Sequence, residues 1–230
     1  MSELQRYARI ATKMPREFVL LQGTGCRWGR CTFCDYHGDV SCDPFAVNSE
    51  VLSRVTGEFG VLDVINSGSC VELDDQTVQL IRQIVHEKRI HTLWFESHYL
   101  YRNELPAFAA QFEGVSVKFR AGVETFDGAL RVSWKKGIPA NVTPEDIAKY
   151  FSGACLLFGI EGQSFESVRR DIETALAHFE YFSLNAFVPN TTPTRRDNAL
   201  IDRVSRELVP QIADNPRAEI LLENTDLGVG

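Results

Sequence analysis

No stretch of this 230-residue sequence approaches eighteen consecutive apolar residues, so nothing in it is expected to span a membrane. The opening Met1-Ser2-Glu3-Leu4-Gln5-Arg6 lacks the apolar core of a secretory signal, and a cytoplasmic protein is expected. Internal repeats and low-complexity linkers are missing too, which excludes repetitive, collagenous and disordered chains. Basic charge is in short supply: 24 Lys and Arg face 31 Asp and Glu, a net of −7. A protein that grips a long polyanion needs a basic face. Here basic residues come only in small groups, such as Arg27 with Arg30, Lys135-Lys136 and Arg195-Arg196. A small-molecule substrate is therefore a better partner than whole nucleic acid. Six cysteines are too few for a disulfide scaffold, and in a reducing compartment they stay free for metal. What remains is an ordinary globular composition, 44% hydrophobic and 24% charged. One domain over residues 1–230 would bury roughly 70% of its unfolded surface without disulfides.

Short apolar runs alternate with helical patterns along the whole chain. Strands are expected at Phe18–Gln22, Val61–Asn66, Thr92–Glu96, Val115–Arg120, Ala154–Phe158 and Tyr181–Pro189, with a short edge strand at Ala218–Leu222. Helices are expected at Ser49–Glu58, Asp74–Lys88, Asn103–Phe112, Ser164–Glu180 and Asn198–Ala213. Thr143-Pro144-Glu145-Asp146 reads as another helix start, with a capping threonine and a proline at the first position. Strand–helix alternation indicates a parallel sheet covered by its crossovers. Six units are too few for a closed eight-unit barrel, and no Gly-x-Gly-x-x-Gly follows the first strand. An open, partial parallel (β/α)6 barrel and a doubly wound α/β sheet both fit. In either, chemistry gathers at the C-terminal strand ends.

The loop over residues 23–42 is the most informative stretch. Its Cys26-Arg27-Trp28-Gly29-Arg30-Cys31-Thr32-Phe33-Cys34 puts three thiols within nine residues. So many polar and glycine neighbours make chance clustering of core cysteines a poor account. A structural zinc site needs a fourth ligand, for which Cys42 and His37 are at hand. An iron–sulfur cluster held by three cysteines instead leaves one iron open. Spacing alone does not choose between the two metals. Cys70 and Cys155 read as non-ligands, Cys155 because it lies in an apolar strand.

A three-cysteine loop after the first strand of a partial parallel barrel resembles the radical S-adenosylmethionine superfamily. The likeness covers most of the chain, although the cysteines are spaced four then two rather than three then two. Phe33, the aromatic residue before the third cysteine, fits the pattern. The resemblance implies that Cys26, Cys31 and Cys34 hold a [4Fe-4S] cluster and that the chain binds S-adenosylmethionine. One electron would then cleave the sulfonium, and the resulting 5′-deoxyadenosyl radical would take a hydrogen from substrate. An electron donor such as flavodoxin or ferredoxin is implied as partner. Ser67-Gly68-Ser69 takes the place of the segment that meets the cofactor's methionine. Glu124, ending Gly122-Val123-Glu124, resembles the position that holds its ribose. Gly159-Ile160-Glu161-Gly162 resembles the apolar segment against its adenine.

Around the substrate, Glu96 stands out, because a carboxylate ending an apolar strand needs a partner. That partner is either a substrate or, in the structural reading, a cation such as Arg120. Ser97 and His98 follow it, His98 either as a proton carrier or as polar packing. Tyr36 is expected near the adenine, and Asp35 or His37 near substrate; solvated turn residues are the bland alternative. Asn185 and Asn190, with Phe187 between, suit a planar base. The Cys-Thr-Phe-Cys-Asp-Tyr-His run, Asn66-Ser67-Gly68-Ser69 and Glu96-Ser97 are similar to the radical enzymes of deazaguanine metabolism, including the lyases of queuosine salvage. That likeness implies cleavage of the base–ribose bond of queuosine 5′-phosphate. Another radical enzyme of deazaguanine or tRNA modification, and a zinc-stabilised binding protein without turnover, are the alternatives.

Overall fold

Strand-forming runs and capped helices alternate through the computed structural model, which describes residues 4–229. Its eight strands are β1 (Tyr7–Ile10), β2 (Arg16–Leu21), β3 (Val61–Asn66), β4 (Thr92–Ser97), β5 (Ser116–Glu124), β6 (Gly153–Phe158), β7 (Tyr181–Ala186) and β8 (Ala218–Leu221). The chain divides into two compact units. The first takes the described residues up to Gly29, Tyr36–Phe119 and the last few from Thr225. The second takes Arg30–Asp35 and Arg120–Asn224.

In the first unit β1 runs antiparallel to β2, and β2, β3 and β4 are parallel neighbours. All six residues of β2 are buried, including Arg16 and Glu17. Each charge is paired: Arg16 donates to Asp63 on β3 at 2.8 Å, and Glu17 accepts from the backbone of Thr56 and Gly57, both at 2.7 Å. Burying these charges is tolerated because none is left without a partner. The helix Asp75–Glu87 lays Val78, Ile81, Ile84 and Val85 into the core and is capped by Asp74, which accepts from Thr77. Asp43 caps Pro44–Ser53 in the same way. Phe95, from β4, meets Phe108 edge-on at 5.1 Å.

In the second unit β5, β6, β7 and β8 are parallel neighbours in that order. The helix Phe165–His178 packs on this sheet, and Asp171 on it is buried. Burial pushes the Asp171 carboxyl up to about 6, against hydrogen bonds from the Phe126 amide and Thr125. An acid whose folded value lies above its ordinary 3.8 favours folding at low pH. That contribution is present below the ordinary value and fades as pH rises to the folded one. Wild type should therefore lose about 1 kcal/mol relative to Asp171→Asn between pH 5 and pH 7.5. Urea midpoints of the two proteins at both pH values check this, and an equal difference at both contradicts it.

The expected strands are all present, and the tail adds β8 as the sequence suggests. Two differences have plain causes. β1 is a four-residue strand with a mixed burial pattern, too short to carry a period. The expected Asn198–Ala213 helix is two, Asn198–Glu207 and Val209–Ile212, divided just before Pro210. Among the described residues, no helix is long and apolar enough to cross a membrane.

Candidate active site

In the first unit the segments that follow β2, β3 and β4 are laced together by short hydrogen bonds. The Gly23 N–H donates to Ser67 Oγ at 2.9 Å, and the Ser67 N–H to the Leu21 carbonyl at 3.3 Å. Glu72, in the 3-10 turn Cys70–Glu72, is the centre of the lacing. One carboxylate oxygen accepts from the Ser69 N–H at 2.6 Å. The other accepts from the Arg27 N–H and the Tyr101 hydroxyl, each at 2.7 Å. Burial, and then the Glu72 carboxylate beside it, push the Tyr101 phenol above its ordinary value, so it remains a donor. Gly68 leaves no room for a side chain. A Cβ there would collide with the Glu72 carboxylate and lie 3.2 Å from the Gly25 carbonyl and 3.4 Å from Cys26 Cα. Cys26 itself is half-buried, and its sulfur receives the Gly29 N–H at 3.4 Å.

Trp28 stacks on His98, with ring centroids 5.6 Å apart. His98 Nδ1 accepts from the Leu100 N–H at 3.0 Å, which puts the proton of the neutral ring on Nε2. The His98 N–H in turn donates to Ser69 Oγ at 3.0 Å. His98 is thus a packed and hydrogen-bonded part of the strand-end lacing. Ser97 is buried and bonds to Cys70, whose thiol is pushed by burial up to about 12 and stays protonated. Glu96, between the buried Phe95 and Ser97, is half-buried at the end of β4. Tyr36 opens the 3-10 turn Tyr36–Gly38 and is 55% exposed. Behind it Asp39 forms a two-point ion pair with Arg6 and accepts from Gln22 at 2.8 Å. Burial alone would raise that carboxyl, but the Arg6 and Gln22 hydrogen bonds hold it below its ordinary value.

The second unit fixes the other end of the cysteine loop just as firmly. The Thr32 N–H donates to the Trp134 carbonyl at 3.1 Å, and Thr194 Oγ1 to the Thr32 carbonyl at 2.6 Å. Asn190 Nδ2 donates to the Phe33 carbonyl at 2.7 Å. Asp35 accepts from the N–H and the hydroxyl of Thr191 through one oxygen, at 2.9 and 2.8 Å. Phe33 is buried with Trp134, Ile160 and Phe187, and Cys31 and Cys34 pack on that cluster. Lys136 Nζ lies 5.8 Å from the Phe33 ring centroid and 2.8 Å from Glu124 Oε1. Glu124 has φ 69° beside a register shift at Gly122/Glu124. A left-handed glutamate costs about 1–3 kcal/mol.

The sequence candidates of this unit therefore sort by what they touch. Asn190 and Asp35 hold the cysteine loop to the segment after β7. Asn185 donates to the Leu156 carbonyl at 2.9 Å and to Ser183 at 3.1 Å. Phe187 is a core residue, 3% exposed, and Arg120 is buried with its guanidinium over the Tyr181 ring. Gly162 is exposed with φ 90°, in a turn. Gly159, not Gly162, is the crowded glycine of its segment, since a Cβ there would overlap Ile201. Sequence reasoning missed Glu72, Trp28 and Lys136. Only Glu72 carried a local signal, because Ser69-x-x-Glu72 is a capping-box spacing.

None of the six cysteines is in a disulfide. Cys26, Cys31 and Cys34 are half-buried, whereas Cys42 is exposed and Cys70 and Cys155 are buried. The three of the loop are therefore the thiols both accessible to a metal and shielded from bulk water. Among the described residues, no three His, Cys, Asp or Glu side chains gather closely enough to hold a single metal ion. A cubane cluster asks for something else, since each thiolate binds a different iron. The donor set suits such a cluster.

No family model matches the sequence, and no curated protein matches it. Solved structures do. Queuine lyase from Clostridium spiroforme, bound to S-adenosylmethionine and queuine, matches 99% of this chain and 100% of its own, with 38% identity and a TM-score of 0.94. Methylornithine synthase matches 92% of this chain and 74% of its own at a TM-score of 0.53; at 16% identity that likeness speaks for the fold alone. Fold and cysteine loop together define a radical S-adenosylmethionine enzyme of the α/β partial-barrel class, the class expected from the sequence. Such enzymes carry a [4Fe-4S] cluster. Within that class, the chain belongs to the queuine lyase family.

Proposed function

We propose that this protein is a cytoplasmic lyase that releases queuine from queuosine 5′-phosphate by cleaving the base–ribose bond. The full-length likeness to a lyase that binds both S-adenosylmethionine and queuine is the observation that carries this reading. Cys26, Cys31 and Cys34 would hold the cluster, with its electron arriving from a flavodoxin or ferredoxin. When bound, the cluster and S-adenosylmethionine would supply the radical chemistry. The chain's own residues bind and orient. Ser67, Gly68 and Ser69 present backbone to the methionine end of the cofactor. Glu124, held beside Lys136, takes its ribose. Gly162 in the second unit is assigned to its adenine, and so, in the first unit, is Tyr36. His98 keeps Trp28 and Ser69 in place. Asn190 and Asp35 fix the cysteine loop, and Ser97, Arg120, Asn185 and Phe187 shape the substrate side.

Glu96 is assigned to the base. A deazaguanine edge offers a ring N–H beside an exocyclic amine, and a carboxylate accepts both in one plane. Losing such a charged double contact costs ~2–4 kcal/mol, because donors in a dry site are left unpaired. Glu96→Gln should therefore keep its cluster and its uncoupled 5′-deoxyadenosine formation while queuine release falls sharply. Both products are measured in one anaerobic reaction, wild type beside variant. Equal loss of both would place Glu96 in the fold or at the cofactor instead.

A further inference from the structure

As a bare cap of the turn Cys70–Glu72, the Glu72 side chain would need only the Ser69 N–H. It does more than that. Its second oxygen takes the Arg27 N–H and the Tyr101 hydroxyl, each at 2.7 Å, and neither belongs to the turn. Its backbone takes part as well, because the Glu72 carbonyl accepts the N–H and the hydroxyl of Thr24, both at 3.1 Å. Thr24 and Arg27 bracket Cys26. One residue thus pins the chain on both sides of the first cysteine and holds the Ser69 amide at the same time. Gly68 leaves the gap that makes this possible, since any side chain there would displace the carboxylate.

We propose that Glu72 is a positioning residue for S-adenosylmethionine, fixing the Cys26 peptide against the Ser67–Ser69 segment. The proposal rests on the radical-enzyme reading above. A ligand gripped both by that segment and by a metal on Cys26 needs a constant spacing between the two. Glu72 supplies the spacing through hydrogen bonds to a charged acceptor, the strong kind. Tyr101, 5% exposed, completes it by keeping one carboxylate oxygen aimed at Arg27.

Glu72→Gln tests this without a change of size. A glutamine has one acceptor oxygen, so whichever way it turns its amino group faces a backbone N–H. The variant should keep wild-type iron content and still unfold in one cooperative step at a somewhat lower midpoint, while the dissociation constant for S-adenosylmethionine rises about tenfold. The shift that S-adenosylmethionine causes in the electron paramagnetic resonance signal of the reduced cluster should shrink at the concentration that saturates wild type. Tyr101→Phe leaves both backbone bonds and should weaken binding by a smaller factor, about threefold. Unchanged affinity in a Glu72→Gln that folds, or loss of its iron, overturns the proposal. Should Glu72→Gln fail to fold, unchanged affinity in Tyr101→Phe overturns it. A wild type that binds no cofactor removes the functional reading itself, a result distinct from either.

Discussion

Alanine in place of Cys26, Cys31 or Cys34 should each abolish the brown absorbance of the anaerobically purified protein, and cofactor cleavage with it. The three thiols are half-buried on a loop that is fixed at both ends. One end is held by Glu72 through the Arg27 N–H, the other by Trp134, Asn190, Thr191 and Thr194 through Thr32, Phe33 and Asp35. With the chain pinned at Arg27 and at Thr32–Asp35, loss of one thiolate leaves the cluster on two, and such a cluster is lost to solvent. Cys42→Ala, by contrast, should leave iron content and cleavage at wild-type levels. Cys42 is exposed, and the buried Cys70 is held as a neutral thiol. Iron and sulfide analysis of the four variants decides the matter. A colourless protein holding one zinc, with Cys42 indispensable, would reverse the ligand assignment.

Gly68→Val should be the next most damaging change, and through a different route. The new side chain meets the Glu72 carboxylate, the Gly25 carbonyl and Cys26 Cα, none of which can retreat without breaking a hydrogen bond or shifting the loop. Relieving the overlap moves the segment, and S-adenosylmethionine binding should weaken roughly ten- to a hundredfold, about 1–3 kcal/mol. The fold should suffer less, because the strain falls on strand-end loops and not on the buried strands. Gly38→Ala is the matching control: an added Cβ meets nothing within 4 Å. Cofactor titrations and unfolding midpoints for both variants test the contrast. Unaltered affinity in a well-folded Gly68→Val would separate this segment from the cofactor.

Much of this was legible in the sequence, and what was hidden was hidden for physical reasons. The Cys26–Cys34 loop announces itself because thiols at short spacing have few other uses in a reducing compartment. Helix starts at Asp74 and Thr143 can be read because capping is local chemistry, complete within four residues. The start of β2 cannot be read this way. Arg16 and Glu17 look like solvated charges until Asp63, Thr56 and Gly57 are seen to satisfy them from a distance. The same holds in the site. Ser69-x-x-Glu72 reads as a cap, but its bond to Arg27 spans 45 residues and its bond to Tyr101 spans 29. His98 stacks on Trp28, and Asn190 reaches the Phe33 carbonyl across 157 residues. Residue type suggested Asn190 and His98 for substrate chemistry, and only tertiary contacts reveal that both also touch the loop.

Base release by this protein can be followed in one reaction. The anaerobically reconstituted protein is mixed with reductant, S-adenosylmethionine and queuosine 5′-phosphate, and queuine and 5′-deoxyadenosine are quantified by mass spectrometry. Queuine should appear together with 5′-deoxyadenosine, and neither should form when S-adenosylmethionine or reductant is left out. Queuine released without S-adenosylmethionine, or 5′-deoxyadenosine accumulating with no queuine at all, would contradict it.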